Sequence, residues 1–162
     1  MISILAALDQ QNGIGKDNNL LCRLRDDMRN FKELTTGNVV VMGRKTYESL
    51  PKGALTNREN IVITRNTTFK AQGCTIMNTI DEVINHSHRT NKEVFVIGGG
   101  EVYELLLPYA SKLYLSFIEH RFDADTFFPQ IDYDNWSVIE NKKFEQSDRN
   151  DYSFVYKVMV RK

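Results

Sequence analysis

The sequence predicts an α/β fold: a single domain spanning 1–162, built on a central, mostly parallel twisted sheet with flanking helices and an antiparallel C-terminal strand. Three observations carry this. Short apolar runs alternate with helix-like segments, the pattern of a parallel sheet covered by its crossover helices. The runs 39–42 and 94–97 are apolar at every position, as in strands buried on both faces. The last run, Tyr152–Val160, instead sets Tyr152, Phe154, Tyr156, Val158 and Val160 against Ser153 and Lys157, which suits an antiparallel strand near one edge. With 162 residues, 41% of them hydrophobic, the chain can bury one core of its own.

The elements follow in order. Ile2–Leu8 is the first strand-like run. Arg25–Leu34 is a helix in which Asp27, Phe31 and Leu34 recur at i, i+4 and i+7. Val39–Met42 is a strand, and Arg44–Leu50 is a helix closed by Pro51. Asn60–Thr64 is a further strand. Thr79–His88 is a helix opened by the capping box Thr79-x-x-Glu82. Val94–Ile97 is a strand, followed by the helix Glu101–Leu107, which Pro108 ends. The Asp9–Leu24 connection is long and polar and holds Asn12-Gly13 and Gly15, where a strand and a helix need only a short turn. It reads either as a mobile lid over a ligand or as a plain surface loop.

Twenty-one Lys and Arg balance 21 Asp and Glu, a formal net charge of zero. No run of like charge could coat a polyanion, so nucleic acid is not an expected partner. The N-terminus has no basic segment ahead of its short apolar run, so neither a signal peptide nor a membrane span is expected. The expectation is a cytoplasmic protein whose two cysteines, Cys22 and Cys74, are free thiols.

Two glycine-bearing turns each leave an apolar strand and open a helix: Gly43-Arg44-Lys45-Thr46 and Gly98-Gly99-Gly100-Glu101. Helix starts present free N–H groups and partial positive charge, and glycine lets phosphate oxygens approach the backbone. Two such turns at one end of a sheet could hold a diphosphate between them. Arg44, Lys45, Thr64 and Arg65 beside them suit a 2′-phosphate better than a ribose hydroxyl, which favours NADP over NAD. Solvated surface cations are the plainer alternative. Asp27 falls on the apolar face of its helix, where a carboxylate is costly; it reads as a functional acid or as a capping, partly solvated one. Asp26, about 100° round the helix, reads as a first-turn or capping acid. His86-x-His88 does not converge on a helix face, and no metal site is expected. Cys22 sits next to Arg23, with Arg25 close by, which could depress its pKa, but no paired base accompanies it.

Taken together, these residues resemble the dihydrofolate reductase family, in its bacterial form, from the first strand to the last. The resemblance rests on Ile2-Ser3-Ile4-Leu5-Ala6-Ala7, Gly13-Ile14-Gly15, Asp27-x-x-x-Phe31-Lys32 and Val41-Met42-Gly43-Arg44-Lys45-Thr46-Tyr47-Glu48-Ser49-Leu50. It continues through Val96-Ile97-Gly98-Gly99-Gly100-x-Val102-Tyr103 and Asp125-Thr126-x-Phe128-Pro129. It implies hydride transfer from NADPH to 7,8-dihydrofolate, giving tetrahydrofolate for one-carbon metabolism, with Asp27 promoting protonation of the pterin ring.

The resemblance also assigns binding residues. Leu5, Ala6, Phe31, Lys32, Leu50, Ile97, Tyr103 and Ser116 match the substrate pocket, and Arg58 matches the arginine that grips the glutamate tail. Ala7, Ile14, Gly15, Gly43, Lys45, Thr46, Ile97, Gly98, Gly99, Gly100, Glu101, Val102, Tyr103 and Thr126 match positions around nicotinamide and diphosphate, with Arg44, Thr64 and Arg65 at the adenosine end. A cis peptide at Gly98-Gly99, a lid at Asp9–Leu24, sensitivity to antifolate inhibitors and a monomeric state are implied as well. The chain departs from the family beside the acid. Leu21 and Arg25 stand where prolines are common, and Cys22 stands where tryptophan is usual, implying a wetter or looser pocket.

Overall fold

The computed structural model describes residues Met1–Lys162. Its elements are β1 (Ile2–Leu8), β2 (Gly13–Gly15), α1 (Arg25–Thr35), β3 (Val39–Gly43), α2 (Arg44–Ser49), β4 (Glu59–Ile63), β5 (Cys74–Met77), α3 (Ile80–Arg89) and β6 (Val94–Gly98). They continue with α4 (Gly100–Leu106), β7 (Lys112–Ile118), β8 (Thr126–Phe127), β9 (Trp136–Phe144) and β10 (Phe154–Arg161). The main sheet has eight strands in the order β5-β4-β3-β6-β1-β7-β10-β9, and β2 and β8 form a separate ribbon. Every pairing from β5 across to β7 is parallel, while β10 runs antiparallel to both β7 and β9.

Helices cover both faces, which is why the central strands carry no polar side. Val39, Val40, Val41 and Met42 are all fully buried. On one face α3 and α4 pack through Val83, Val102, Tyr103 and Leu106 against Ile4, Val41 and Val96. On the other, Leu24 just before α1, with Phe31 and Leu34 of the helix and Tyr47 of α2, packs against Leu5, Val40, Phe95 and Tyr156. The chain leaves β1, builds β3, β4 and β5 outward to one edge, and returns to insert β6 between β3 and β1. That reversal opens a crevice at the strand C-termini, where ligands of open α/β sheets bind.

The expected elements are found within a residue or two of the sequence reading, and five strands are added: the short ribbon pair β2 and β8, and β5, β7 and β9 in the main sheet. β7 is buried on both faces and mixes Lys112 and Ser116 into an otherwise apolar run, which periodicity alone does not resolve. β9 is an exposed edge strand with a bulge opposite Val158/Met159, so it lacks clean alternation. β5 is only four residues long. In β10 the alternation holds through Phe154, Tyr156 and Val158, but Met159 is also buried, on the opposite face, in the cluster that includes Trp136. Pro108 lies inside a 3-10 turn, Leu107–Tyr109, that continues α4. Thr79 caps α3 by accepting from Glu82 N at 3.3 Å, and Glu82 answers to Asn78 N at 3.3 Å, one residue before the cap.

Candidate active site

The Asp9–Leu24 connection is anchored at its base rather than free along its length. Asp9 is 3% exposed, and its carboxylate accepts from Gln11 N at 2.8 Å, Gly13 N at 2.7 Å and Phe122 N at 2.9 Å. Gly13–Gly15 then pairs with Thr126 and Phe127. A Cβ at Gly13 would lie 2.6 Å from the Ala124 side chain and 2.8 Å from Asp9 Oδ2, so the close approach needs glycine. Farther out, Asp17 and Asn18 adopt positive φ (50° and 61°), and Asn18 Nδ2 donates to the Lys45 carbonyl at 2.9 Å. Sequence reading missed Asp9 and Asn18 as individuals. The signals were an Asp leading into Asn12-Gly13 and the Asp17-Asn18-Asn19 run, residues that tolerate turns and left-handed backbone.

Beneath this segment a cleft is lined by Ala7, Ile14, Leu20, Leu21, Cys22, Leu24, Met28 and Ile118, with Asp27 the one charged residue among them. Asp27 is on the first turn of α1 and only partly exposed. Ser116 of β7, itself buried, donates its hydroxyl to Asp27 Oδ1 at 2.5 Å. Burial pushes the Asp27 carboxyl above its ordinary value, and the Ser116 bond pulls the other way without overcoming it. Such a group can accept two N–H donors from a flat heterocycle while ionised, or hold a proton closer to neutral pH than a solvated carboxylate does. Cys22 departs from expectation: its thiol is pushed up to about 11, first by burial and then by the Asp151 and Asp27 charges. The nearby arginines do not offset this.

Period-2 alternation sorts the residues assigned on β1. Leu5 and Ala7 pack in the cluster with Phe31, Leu50 and Ile97, whereas Ala6 packs in the opposite one with Ile14. Tyr103 is buried and donates its hydroxyl to the Leu5 carbonyl at 2.8 Å, tying α4 to the sheet at the cleft floor. Burial raises its pKa, and the Asp27 charge adds to the effect. Arg58 sits at the far end of α1, donating to Thr35 Oγ1 at 3.1 Å and to the Thr56 carbonyl at 2.9 Å. No carboxylate pairs with it, and burial lowers its pKa. Lys32 is exposed, off the face that carries Asp27, Phe31 and Leu34.

The two glycine turns meet. A Cβ at Gly43 would lie 3.1 Å from Val102 Cγ2, 3.9 Å from Gly99 N and 4.0 Å from the Gly98 carbonyl oxygen. One at Gly98 or Gly99 would lie 3.5 Å from Thr46 Oγ1. Gly98 has a φ of 130°, which only glycine adopts readily, and the Gly98-Gly99 peptide is cis. Gly43 and Gly99 are the N-caps of α2 and α4, and neither helix start has a side-chain cap. Backbone donors therefore converge on a groove that side chains would fill, which fits a diphosphate. At its margin Arg44 pairs with Glu48 at 3.6 Å and Arg65 with Glu101 at 3.2 Å, both pairs largely exposed. Thr64 is held at its backbone, its N–H donating to the Met77 carbonyl. His86 faces Glu59 at 2.5 Å, remote from the cleft.

Comparison with known proteins agrees with this geometry. Residues 1–161 match the family model described as dihydrofolate reductase. The chain is 38% identical over 162 residues to a dihydrofolate reductase of Bacillus subtilis (strain 168), covering 100% of this chain and 95% of the relative. It is 34% identical to one of Staphylococcus haemolyticus, with 99% and 95% covered. It is 36% identical to a dihydrofolate reductase type 3 of Salmonella typhimurium, with 99% and 98% covered. A solved dihydrofolate reductase of Enterococcus faecalis, complexed with NADP(H) and RAB-propyl, superposes with a TM-score of 0.94 at 32% identity, over 99% of this chain and 96% of that one. An α/β sheet with an acid beneath a tethered loop and a glycine groove beside it, matched end to end in sequence and shape, places the chain in the dihydrofolate reductase family.

Proposed function

We propose that this protein reduces 7,8-dihydrofolate to 5,6,7,8-tetrahydrofolate at the expense of NADPH, with Asp27 as the acid that promotes protonation of the pterin ring. The observation that carries the residue assignment is Asp27 itself: a lone carboxylate in an apolar cleft, bonded to Ser116 and lifted in pKa by burial. When bound, NADPH supplies the hydride. The backbone of Gly43 to Thr46 and of Gly98 to Val102 would hold its diphosphate, Ala7, Ile14, Gly15, Tyr103 and Thr126 its nicotinamide end, and Arg44, Thr64 and Arg65 its 2′-phosphate.

The rest of the chemistry belongs to the chain's own groups. Asp27 accepts hydrogen bonds from the pterin amino and ring N–H groups, which orients the ring and favours its protonated form through water; a positioned group of this kind contributes about 10²–10⁴ in rate. Leu5, Phe31, Leu50 and Ile97 enclose the ring and the aminobenzoyl group, Ala6, whose side chain faces the other side of the sheet, offers only its backbone, and Arg58, free of any carboxylate partner, meets the glutamate tail with Lys32 at the rim. The Asp9–Leu24 segment closes over the site and excludes water. Antifolates that mimic the pterin amino pattern compete at Asp27. The tetrahydrofolate formed serves one-carbon transfer, in thymidylate, purine and amino-acid synthesis. Both ligands are water-soluble and the net charge is zero, in keeping with a cytoplasmic monomer of one domain that takes no nucleic acid.

The test mixes protein, NADPH and 7,8-dihydrofolate and follows loss of the reduced nicotinamide absorbance, with NADH and Asp27→Asn in parallel. The expected result is rapid oxidation that prefers NADPH, collapses in Asp27→Asn at neutral pH and partly returns in acid. Tight NADPH binding without turnover would overturn the reading.

A further inference from the structure

The first turn of α1 is held by a segment from the other end of the chain. Leu24 is the N-cap of the helix, but its side chain is apolar, 4% exposed, and makes no capping bond. The free N–H groups of a helix start need acceptors. Here Arg25 N donates to the Arg149 carbonyl at 2.8 Å and Asp26 N to Asn150 Oδ1 at 3.2 Å. Bonds also run inward: Asn150 Nδ2 donates to Asp26 Oδ2 at 2.8 Å, and Arg149 Nε to Asp26 Oδ1 at 2.7 Å. Asp26 is thus the partner of a remote turn rather than a cap of its own helix.

That turn is well fixed. Asn150 is 2% exposed and exchanges backbone hydrogen bonds with Ser147 at 3.0 and 3.2 Å. Next to it, Arg23 N donates to Asp151 Oδ2 at 2.8 Å and Asp151 N to the Arg23 carbonyl at 2.9 Å. The residue after Asp26 is Asp27, whose carboxylate must meet a serine on the rigid sheet.

We propose that Asn150 is a positioning residue for the reaction: its amide caps α1 from outside and so fixes the Asp27 carboxylate against Ser116 and out of water. The proposal rests on the reading of Asp27 as the acid. Without the cap the first turn frays, the Ser116 bond lengthens and water reaches the carboxylate. The groups facing Asp27 are Cys22 from the lid, Tyr103 from α4, Ser116 from β7 and Tyr156 from β10, with Asp26 and its partner Arg149 at the helix start. None of the first four is a cation, and burial is the larger influence on Asp27, so hydration moves its titration down.

The experiment compares wild type, Asn150→Ala, Asn150→Asp and the exchange Asp26→Asn with Asn150→Asp, with Asp27→Asn as control. It measures single-turnover hydride transfer from acid to alkaline pH, the carbon-13 titration of the Asp27 carboxyl and the melting temperature. Asn150→Ala is expected to slow hydride transfer about ten-fold at neutral pH, as misplacement of a reacting group does. The pH midpoint and the Asp27 titration move down together, and KM for NADPH stays the same. Asn150→Asp, which sets carboxylate against carboxylate, slows transfer too, and the exchange re-forms the donor–acceptor pair and restores rate and midpoint. A lowered melting temperature with rate and midpoint unchanged makes the contact merely structural and overturns the proposal. If Asn150→Ala does not fold, Asn150→Leu, similar in size but unable to accept from Asp26 N, takes its place, and unchanged rate and midpoint there overturn the proposal as well. Full activity of Asp27→Asn at neutral pH overturns the reading of Asp27 beneath it, whereas a dead Asp27→Asn beside an unaffected Asn150→Ala overturns only the positioning role.

Discussion

Ser116 of β7 donates its hydroxyl to Asp27 Oδ1 at 2.5 Å across 89 positions of sequence, and this bond is the only hydrogen bond the structure gives the Asp27 carboxylate. It leaves the carboxyl raised in pKa, because burial outweighs it. The folded state therefore binds the Asp27 proton more tightly than the unfolded chain does. The stability this group contributes is full below the ordinary carboxylate value and is lost as pH rises from there through the raised value. Asp27→Asn removes that loss. The variant is expected to melt at a higher temperature than wild type at neutral pH, with the gap closing in acid, when calorimetry follows both across the range. An equal or lower melting temperature at neutral pH would contradict the assignment.

Asn18 crosses from the Asp9–Leu24 segment to the Lys45 carbonyl, joining the proposed lid to the turn proposed to hold phosphate. Its φ of 61° makes alanine a poor probe, so Asn18→Gly isolates the side chain. One exposed hydrogen bond is worth about 0.5–1 kcal/mol, so NADPH should bind about two- to five-fold more weakly in this variant. Fluorescence titration with NADPH measures it.

Arg44 and Arg65 spend their charge on exposed partners, Glu48 and Glu101, at 3.6 and 3.2 Å. Such pairs contribute little and exchange readily for a doubly charged phosphate. In the double variant Arg44→Ala with Arg65→Ala, the preference for NADPH over NADH should fall at least about ten-fold, because each charge-assisted bond is worth about 1.5–3 kcal/mol. The loss belongs in KM, with kcat nearly constant, and steady-state kinetics with both cofactors separates the two.

Cys22 lines the cleft beside Asp27 with its thiol pushed up to about 11. Only the thiolate attacks an alkylating reagent, so modification at neutral pH should run about a hundred-fold slower than for a solvated thiol and accelerate as pH rises. Mass spectrometry after timed exposure to iodoacetamide checks the rate, and bound dihydrofolate should suppress it. Rapid alkylation at neutral pH would mean that the cleft is open to water at this position.

Local pattern reveals much of this molecule because the forces behind it are local. Val39–Met42 and Val94–Ile97 read as doubly covered strands, since burial on both faces leaves no place for a polar residue. The spacing of Asp27, Phe31 and Leu34 points one face of α1 at the sheet, and the acid travels with that face. The glycines at 43 and 98–100 mark where backbone must come close. What periodicity does not resolve is equally physical: β7 is buried on both faces although one of them carries Ser116, and the bulge in β9 breaks its own alternation.

The sequence by itself determined the α/β class and the family, and singled out Asp27 as the candidate acid, because periodicity, turn chemistry and motif order are written in neighbouring residues. Only the tertiary structure decided that the two glycine turns abut, that Asp9 ties the base of the Asp9–Leu24 segment to Phe122, that Cys22 is a suppressed thiol, and that α1 takes its cap from Asn150, 124 positions from Asp26. Each of these depends on which strand lies beside which. The insertion of β6 between β3 and β1 and of β7 beside β1 sets those neighbours, bringing distant residues within hydrogen-bond reach in a way no local preference encodes.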